Sequence, residues 1–523
     1  MSVDTDIFYV IIRMYIPISE RKNFHMQEYV MGNGAIALGA LAAGVNLVAG
    51  YPGTPSSEIL ETISKYRHDG VYIEWSVNEK AAMEVAAAAA YSGARAMVTM
   101  KQVGLNVAAD PLMSLAYVGV KGGMVIVSAD DPGPISSQTE QDTRRFADFC
   151  RIPVFDPSSP EEAYKMIGEA FEYSEKYNTP VLFRPTTRVC HAYASIDNCD
   201  SPSPKKYEGF VKDSKKWVIF PRLSFANHIM IEKRNVEIGK DFSTYSANKA
   251  EGGNSEKVVV TSGISYAYTK ECLKDYPDVK LIKIATAYPF PEDFVLSSLE
   301  GAKEVLCIEE LSPFIEEQIL KLAGKHGLQL KVSGKLDRKV QAGGENSTDK
   351  IAAILGDFLG KDFTAEGYDL SDAPALPVRP PVLCAGCPHR ASFYAVKQAM
   401  KGRKAYFCGD IGCYTLGNAM PLDMVDTCLC MGAGITMAQG FNHTDSDGVC
   451  FGFVGDSTFF ASGITGVVNA VHNNADMILC VLDNSTTAMT GHQSHPGLDN
   501  NLMGQIVDKI NIAKVLELSL IHI

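Results

Sequence analysis

The stretch 448–484 constrains the fold most, because it holds two short apolar runs separated by a helix-like segment. The first run, 450–455, leads into Asp456, and the second, 477–482, leads into Asp483 and Asn484. This order predicts one βαβ unit, whose crossover makes the two strands parallel. Asp456 and Asn484 then both follow carboxyl ends of strands, the edge at which open α/β sheets bind ligands.

The side chains at this edge favour a metal and a phosphate group. A carboxylate and an amide oxygen are hard ligands that suit Mg²⁺, which takes its remaining ligands from phosphates and water. The small residues Gly455 and Ser457 flank Asp456 and would let a diphosphate approach the backbone. Asp456 and Asn484 can also be ordinary turn residues after strands, and this pair alone leaves both readings open.

Length and composition narrow the class of protein. A chain of 523 residues is too long for one core and indicates about three domains. Hydrophobic and charged contents of 46% and 21% are typical of a soluble globular protein. The net charge of −13 argues against nucleic acid or an anionic membrane as the main partner. No apolar run approaches the ~20 residues of a membrane helix, and the start lacks the order of a signal peptide. A cytoplasmic protein is predicted.

Two positions early in the chain stand where strands give way to helices. In the segment 51–58, Thr54 or Ser56 can cap a helix, and the free N–H groups there can bind an anionic group or do nothing more than begin the helix. Glu79 follows a predicted strand, 71–75, and opens an alanine-rich helix, where it can also be a first-turn acid that the helix dipole favours. The polar loop 130–145 is long enough to be functional.

Alternating strands and helices predict an α/β protein with two doubly wound domains and a smaller α/β domain between them. No short repeat is evident, but the first and last units share an outline. The predicted division is a non-native or disordered extension at 1–26, a doubly wound domain at 27–195, a connector at 196–255, the smaller domain at 256–372, a proline-rich linker at 373–381 and a second doubly wound domain at 382–517. Residues 518–523 resemble a translated sequencing adapter, which predicts that the natural protein continues further.

Thirteen cysteines in a chain predicted to be cytoplasmic indicate thiols, metal or clusters rather than disulfides. Most are expected to be small buried hydrophobes. Cys384, Cys387 and Cys413 are different, because two form a C-x-x-C pair and the third follows in a glycine-rich segment. They can bind a cluster, although no fourth ligand is identifiable, or they can be buried or loop-stabilising thiols.

Six motifs in register carry a family resemblance. Together they resemble the large subunits of the indolepyruvate:ferredoxin oxidoreductases, a family of thiamine-diphosphate-dependent 2-oxoacid:ferredoxin oxidoreductases. The resemblance spans residues 27–515, and it implies a first domain that binds the pyrimidine of the cofactor and a last domain that binds its diphosphate. The motifs are YPGTPSSE (51–58), VNEKAAMEVA (77–86), CAGCPHR (384–390), GDIGCYTLG (409–417), GDS with DN (455–457 and 483–484) and TTAMTGHQ (486–493).

The resemblance assigns roles to single residues. Asp456, Asn484 and the backbone carbonyl of Thr486 are implied as Mg²⁺ ligands beside Gly455 and Ser457, where Ser457 replaces the last glycine of the usual GDG motif.

On the other side of the cofactor, Glu79 is implied to hydrogen-bond the pyrimidine N1′ of thiamine diphosphate. Thr54 is implied to lie near the substrate keto acid. His492 is expected to line the same pocket, although a loop histidine is as often structural.

The partners also follow from the resemblance. It implies an arylpyruvate, CoA and ferredoxin, with [4Fe–4S] clusters mainly in a further C-terminal domain absent from this sequence. It also implies a smaller β subunit. Because the first and last domains of such enzymes often come from two chains, a homodimer of this subunit within a heterotetramer is expected.

The predicted reaction is the oxidative decarboxylation of an arylpyruvate with CoA to an aryl-acetyl-CoA and CO₂, with ferredoxin reduced. A non-oxidative thiamine-dependent decarboxylase or synthase is the enzymatic alternative, and it would need neither ferredoxin nor a second subunit. An electron-transfer or scaffold subunit with a vestigial thiamine site is the other alternative. The presence of both Glu79 and the pair Asp456 and Asn484 argues against it.

Overall fold

The structure is a computed structural model that describes residues 26–67, 69–198, 203–363, 372–445 and 447–520. Three α/β units follow one another along the chain. The predicted extension 1–26 lies outside the described residues except for its last residue, and so do the last three residues of the predicted adapter segment.

The first unit is built on a six-stranded parallel sheet in the order β3-β2-β4-β5-β7-β6. Helices cover both of its faces, so its central strands are mostly apolar and buried rather than alternating, and every residue of β5 is buried. A separate antiparallel pair, β1 with β8, lies beside it. The strands are β1 (Met26–Met31), β2 (Leu47–Gly50), β3 (Tyr72–Trp75), β4 (Ala96–Lys101), β5 (Met124–Ala129), β6 (Val154–Phe155), β7 (Val181–Phe183) and β8 (Tyr193–Asn198).

The helices of this unit form a core on each face of the sheet. Helices α1 and α7 pack together on one face, while the alanine-rich α3 packs against β2 and β4 with α5 on the other. Small side chains allow α3 to approach closely. The helices are α1 (Gly32–Ala42), α2 (Ser57–Tyr66), α3 (Glu79–Tyr91), α4 (Gln102–Val107), α5 (Ala109–Val118), α6 (Thr143–Cys150), α7 (Pro160–Tyr177) and α8 (Thr187–His191).

The stretch predicted as a connector contains a long helix that the sequence analysis did not anticipate. Its elements are α9 (Ser214–Trp217), α10 (Pro221–Ser243) and β9 (Lys249–Glu251). Only four residues of α10 are buried, at positions 231, 235, 238 and 242, so the apolar periodicity is masked by charged neighbours. Ile238 and Phe242 join a core cluster of the first unit, and α10 therefore belongs to the packed structure.

The second unit has a five-stranded sheet in the order β13-β12-β10-β11-β9, in which β9 is an antiparallel edge. A buried ion pair attaches it to the first unit, because Arg144 Nη1 lies 2.8 Å from Glu309 Oε2. Asp142 of the first unit, whose Oδ2 lies 2.7 Å from Arg144 Nη2, also accepts the Ser312 N–H over 3.0 Å. Its elements are β10 (Lys257–Ser262), α11 (Ile264–Cys272), β11 (Lys280–Ile284), α12 (Glu292–Ser298), β12 (Glu304–Ile308), α13 (Phe314–His326), β13 (Lys331–Ser333) and α14 (Thr348–Leu359).

The third unit has a parallel sheet in the order β14-β15-β16. The βαβ unit predicted at 448–484 is confirmed as β15, α18 and β16, with a π-helical turn at Phe459–Gly463 before α18. Residues 372–383, which include the predicted proline-rich linker 373–381, form neither helix nor strand. Its elements are α15 (Pro388–Ala399), β14 (Ala405–Cys408), α16 (Ala433–Thr444), β15 (Val449–Gly455), α17 (Asp456–Thr458), α18 (Ile464–His472), β16 (Ile478–Leu482) and α19 (Ile512–Leu520). Within the described parts of the chain, no helix is long and apolar enough to cross a membrane.

Candidate active site

A cavity of about 490 Å³ lies between the first and third units. Both sheets point their carboxyl edges at it, so the residues that follow their strands line it. Tyr51 follows β2, Glu79 comes after β3 and Lys101 ends β4, while on the opposite wall Asp456 follows β15 and Asn484 follows β16. Glu79 and Asp456, which are 377 positions apart in the sequence, thus line one space.

Direct hydrogen bonds hold the two walls together. The Tyr51 and Ser457 hydroxyl oxygens lie 3.0 Å apart, and Asn78 Nδ2 donates to the Ala461 carbonyl over 2.7 Å. A single chain therefore contributes both walls of the cavity. The sequence analysis expected a homodimer because two chains often share such a site, and that reason does not apply here. The homodimer itself stays a prediction.

Asp456 and Asn484 are brought together as predicted. Asp456 Oδ1 accepts the Ser457 N–H over 2.8 Å, and Oδ2 accepts the Asn484 N–H over 3.2 Å. His495 Nε2 also lies 3.2 Å from Asp456 Oδ2, and both side chains are 4% exposed. Burial by itself raises the pKa of Asp456, but His495 and the Ser457 N–H outweigh it, and the net shift is downward. Asp456 is therefore a carboxylate at neutral pH.

The surroundings of Asp456 suit a cation with a phosphate ligand. Gly455, Ser457, Asn484 and Thr486 line the cavity together with Asp456, so a carboxylate, an amide and a threonine are available within one wall. These are oxygen-bearing groups of the kind that Mg²⁺ takes. Ser457, the departure from the family motif, is 8% exposed, and its hydroxyl oxygen also lies 3.0 Å from that of Thr487. The donor set fits the metal that the resemblance implies.

Glu79 is presented by the start of α3. Asn78 caps this helix by accepting the Ala81 N–H over 2.9 Å, and this places Glu79 in the first turn with its carboxyl group in the cavity. Burial raises the pKa of Glu79 to about 7, an effect that Lys101 partly opposes. A Cβ on Gly104 would approach Glu79 Cγ and Cδ to 2.9 Å, so only glycine leaves room for this side chain.

Thr54 lines the cavity, but it does not cap a helix. Helix α2 begins at Ser57, and its N-cap residue Ser56 makes no side-chain capping bond. Instead the Ser56 hydroxyl donates to the Gly53 carbonyl over 2.9 Å, and the Ser57 hydroxyl accepts the Gly53 N–H over 2.9 Å. These bonds close the turn after β2, so Thr54 is left facing the cavity rather than the helix.

His492 is not where the sequence analysis expected it. Its backbone is left-handed, with φ of 66°, and its N–H donates to the Thr487 carbonyl over 3.0 Å, which closes a turn and leaves the side chain exposed. It is not among the residues that line the cavity. The histidine next to the functional carboxylate is His495, three residues further on, which the sequence analysis did not single out.

The three cysteines considered for a cluster lie near one another. Burial raises the pKa of Cys413, and the charges of Cys387 and Cys384 add to this effect. Cys413 lines the cavity, whereas Cys384 is exposed. Over the residues that the structure describes, no three His, Cys, Asp or Glu side chains are arranged to hold a metal ion. A cluster at these cysteines stays a prediction.

Sequence reasoning missed Lys101 and Asp410. Asp410 is fully buried after β14 and accepts the Ile411 and Gly432 N–H groups over 2.6 and 2.8 Å, so it orders the wall that carries Cys413 and Tyr414. Burial raises its pKa to about 7. Asp410 stands two residues after β14 in a Gly-Asp pair like that of Gly455 and Asp456, and this repeated pair near a strand end was the signal that could have identified it.

Two family profiles match the walls of this cavity. Residues 38–238 match "Pyruvate flavodoxin/ferredoxin oxidoreductase, thiamine diP-bdg", and residues 410–520 match "Thiamine pyrophosphate enzyme, C-terminal TPP binding domain". A solved structure described as "2-oxoglutarate:ferredoxin oxidoreductase from Magnetococcus marinus with 2-oxoglutarate, coenzyme A and succinyl-CoA bound" shares the fold, with a TM-score of 0.51 and 16% identity over 64% of this chain and 65% of that one. The chain is thus a thiamine-diphosphate-binding oxidoreductase of the two-domain class.

Relatives of known name identify the family. "Indolepyruvate oxidoreductase subunit IorA" of Methanothermobacter thermautotrophicus is 41% identical over 94% of this chain and 80% of its own length. The proteins of the same name from Thermococcus kodakarensis and Archaeoglobus fulgidus are 40% and 39% identical, each over 93% of this chain, and the chain covers 79% and 80% of them. The chain belongs to the IorA family of indolepyruvate oxidoreductase subunits, and it spans about four fifths of the length of these relatives.

Proposed function

We propose that this chain binds thiamine diphosphate with Mg²⁺ and carries out the oxidative decarboxylation of arylpyruvates. The reaction converts an arylpyruvate, CoA and oxidised ferredoxin into an aryl-acetyl-CoA, CO₂ and reduced ferredoxin. One observation carries the proposal: a protonatable carboxyl group, Glu79, and a metal-ligand pair, Asp456 with Asn484, lie on opposite walls of the same cavity. This arrangement suits a cofactor with a heterocycle at one end and a diphosphate at the other.

The third unit holds the diphosphate end. The Asp456 carboxylate, the Asn484 amide oxygen and the backbone carbonyl of Thr486 would hold Mg²⁺, whose positive charge would offset the negative charge of the diphosphate. The lowered pKa of Asp456 keeps its negative charge available to the cation. Ser457 and Thr487 place hydroxyl groups along the same wall. These side chains fix the cofactor against the carboxyl edge of the sheet.

The first unit holds the reactive end. When bound, thiamine diphosphate supplies a nucleophilic carbon and an electron sink for the decarboxylation. Glu79 donates or accepts a proton at the pyrimidine nitrogen, and its pKa of about 7 lets it hold that proton or release it near neutral pH. Gly104 keeps the carboxyl group of Glu79 in place, since any larger residue would displace it. Thr54 faces the same space beside the position that the substrate would take.

The cavity also suits an aromatic side chain. Apolar residues from both units line it, and they supply the surface that an indole or phenyl ring would cover. Two of them, Leu429 and Met489, are 68% and 52% exposed, so the free protein has apolar surface available for a ligand to bury. The apolar lining residues of the mouth are Val103, Val107, Leu429, Met431 and Met489.

The remaining partners rest on family membership. The relatives are named as subunits of an indolepyruvate oxidoreductase, which supports a second, smaller β subunit. Ferredoxin would accept the electrons through [4Fe–4S] clusters, which family membership places mainly in a further domain, while a cluster at Cys384, Cys387 and Cys413 has no support from the arrangement of their side chains in the described structure. Two such chains and two β subunits would form the heterotetramer.

Dye reduction tests the reaction. The full-length protein with its β subunit is given phenylpyruvate, a viologen dye, thiamine diphosphate and Mg²⁺, with and without CoA. Reduction of the dye that depends on CoA supports the proposal. Release of CO₂ without any dye reduction would show the non-oxidative decarboxylase instead. An assembly that neither releases CO₂ nor binds thiamine diphosphate would identify a subunit with a vestigial site.

A further inference from the structure

We propose that Lys101 binds the carboxylate of the 2-oxoacid substrate and so makes the site selective for acids over neutral carbonyl compounds. This assignment rests on the proposed function, because it names the group that recognises the charge of that substrate. It comes from the charges and contacts inside the cavity, and it concerns a residue that none of the sequence motifs included.

Lys101 is placed in the cavity by the sheet itself. It is the last residue of β4, the strand paired with β2 and β5 at the centre of the first sheet, so its side chain emerges at the carboxyl edge. Among the described residues that line the cavity, it is the single lysine or arginine. Two acids also line the cavity, Glu79 on the same wall and Asp456 on the opposite one. A substrate that carries a negative charge into this space therefore meets one lysine ammonium group from the protein.

The ammonium group of Lys101 has more N–H donors than its one hydrogen bond in the described structure uses. Nζ carries three N–H donors, and one of them donates to the Ser136 carbonyl over 2.8 Å. No carboxylate of the described chain lies within 4.0 Å of it. Its burial lowers its pKa, while the charges of Asp131 and Glu79 oppose this change. A partly dehydrated cation without a close anion is the group that gains most when a carboxylate arrives.

The loop 130–145 holds this lysine in position. Asp131 N–H donates to Gln102 Oε1 over 2.9 Å, and Gln102 Nε2 donates to the Thr139 carbonyl over 2.5 Å. Together with the bond from Lys101 to Ser136, these contacts fasten the loop to the end of β4. Ser136, Gln138, Thr139 and Gln141 of the same loop line the cavity. The loop and Lys101 therefore form one continuous wall.

The position of Lys101 favours the substrate over the diphosphate as its anion. Its side-chain stem lies against Gly53, where an added Cβ would approach Lys101 Cγ and Cδ to 2.9 Å, and Thr54 is the next residue. Its hydrogen bond and its nearest charges all come from the first unit. Asp456 and Asn484, which would hold the metal and the diphosphate, are on the third unit. Lys101 thus lies at the end of the cavity where Glu79 and Thr54 place the chemistry.

A purely structural role makes a different prediction. If Lys101 only fastens the loop or sets the charge state of Glu79, its loss should weaken the binding of acids and neutral compounds alike, or weaken the binding of thiamine diphosphate. If it binds the carboxylate, its loss should weaken the binding of acids alone. Comparison of an acid with its neutral ester separates the two roles.

The experiment measures the affinity of phenylpyruvate and of its methyl ester by calorimetry or ligand-observed NMR, using the full chain without thiamine diphosphate. Lys101→Met should lower the affinity for the acid about tenfold or more, the effect of losing one charge-assisted hydrogen bond, and change that for the ester less than about twofold. Lys101→Arg should restore part of the preference for the acid. Lys121→Met, which removes an exposed lysine paired with Glu208, is the matched control and should change neither affinity.

Thiamine diphosphate affinity and steady-state kinetics complete the test. Lys101→Met should leave the affinity for thiamine diphosphate within about twofold, and in the loaded enzyme it should raise the KM for phenylpyruvate more than it lowers kcat. Equal losses for acid and ester, or a matching loss for thiamine diphosphate, would overturn the assignment. If the wild type binds the acid through Lys101 but does not oxidise it, the proposed function fails and the carboxylate site stands. If the wild type binds neither compound, both fail.

Discussion

The hydroxyl oxygens of Tyr51 and Ser457 lie 3.0 Å apart, and this contact joins two units whose residues are 406 positions apart in the chain. Burial raises the pKa of Tyr51, so its hydroxyl group stays protonated and can donate. Ser457 stands where related enzymes are expected to carry the last glycine of a metal-binding motif. The serine therefore gives the backbone less freedom than a glycine would, and its hydroxyl group forms a bond between the two walls of the active site.

Replacing Ser457 with the glycine expected from the family motif should lower the stability of the protein. Ser457→Gly removes the contacts with Tyr51 and Thr487, each about 1 kcal/mol, and a glycine adds freedom to the unfolded chain. The urea midpoint should fall, and adding Tyr51→Phe to this variant should lower it little further. Tyr29→Phe, at a residue that is 73% exposed, is the control. Fully additive effects of Ser457→Gly and Tyr51→Phe would contradict the bond.

Asp456→Ala should abolish metal-dependent binding of thiamine diphosphate. It removes the charged ligand of the cation, and the loss of one partner from a close charge pair costs about 2 kcal/mol or more, or roughly 30-fold in Kd. Calorimetric titration with thiamine diphosphate at fixed Mg²⁺ measures it. Asp499→Ala removes an acid of the same unit that is 66% exposed and faces Lys509 outside the cavity, so it should bind normally. If Asp456→Ala binds thiamine diphosphate with the affinity of the wild type, Asp456 is not a ligand of the metal.

Glu79→Gln should separate binding from proton transfer. The amide keeps the size of the side chain, so the affinity for thiamine diphosphate should change only a few-fold. The rate of hydrogen–deuterium exchange at C2 of the bound cofactor should fall by about 10²-fold or more, the usual contribution of a positioned acid or base. Quenched-flow NMR measures this rate. Glu84→Gln, one helical turn away and paired with Lys80 at the surface, serves as the control, and equal exchange rates in wild type and Glu79→Gln would remove Glu79 from the chemistry.

The raised pKa of Glu79 should also make stability depend on pH. The folded chain keeps the proton up to about pH 7, whereas an ordinary glutamic acid loses it near pH 4.5. The folded state therefore binds more protons over this window, and its free energy of unfolding falls as the pH rises, by at most about 3 kcal/mol from this one group. In urea unfolding of the cofactor-free proteins, the midpoint of Glu79→Gln minus that of the wild type should be larger at pH 8 than at pH 5. Parallel pH curves would be inconsistent with a buried, protonated Glu79.

Gly104→Ala should disturb the site without a change of charge. The added methyl group would press on Glu79 Cγ and Cδ at 2.9 Å, and the buried carboxyl group has to move. The C2 exchange rate of bound thiamine diphosphate should fall, because a small displacement of a proton-transfer group costs much of its effect. Gly440→Ala is the matched control: it lies in α16 with no atom near the added Cβ, and it should be neutral or stabilising. Normal exchange in Gly104→Ala would show that Glu79 has room to spare.

The sequence by itself determined the fold class and the βαβ unit, and it predicted residues for the two halves of the cofactor site. Apolar runs of a parallel sheet leave a strong local signal, and the polar residues within four positions of the strand ends mark the ligand-binding edge, as at Glu79, Asp456 and Asn484. Helix α10 escaped this reasoning, because only four of its residues are buried and their spacing is lost among charged neighbours.

Only the tertiary structure decided which residues face one another. Lys101 ends a strand that resembles any other strand in the sequence, and its proposed role rests on its place in the cavity wall and on the charges around it. The local sequence does not decide whether His492 or His495 belongs to the site. The left-handed backbone at His492 directs that side chain outward, whereas His495 reaches Asp456. Local pattern encodes strands and helices, whereas the facing of two sheet edges depends on contacts such as that of Tyr51 with Ser457, which join distant parts of the chain.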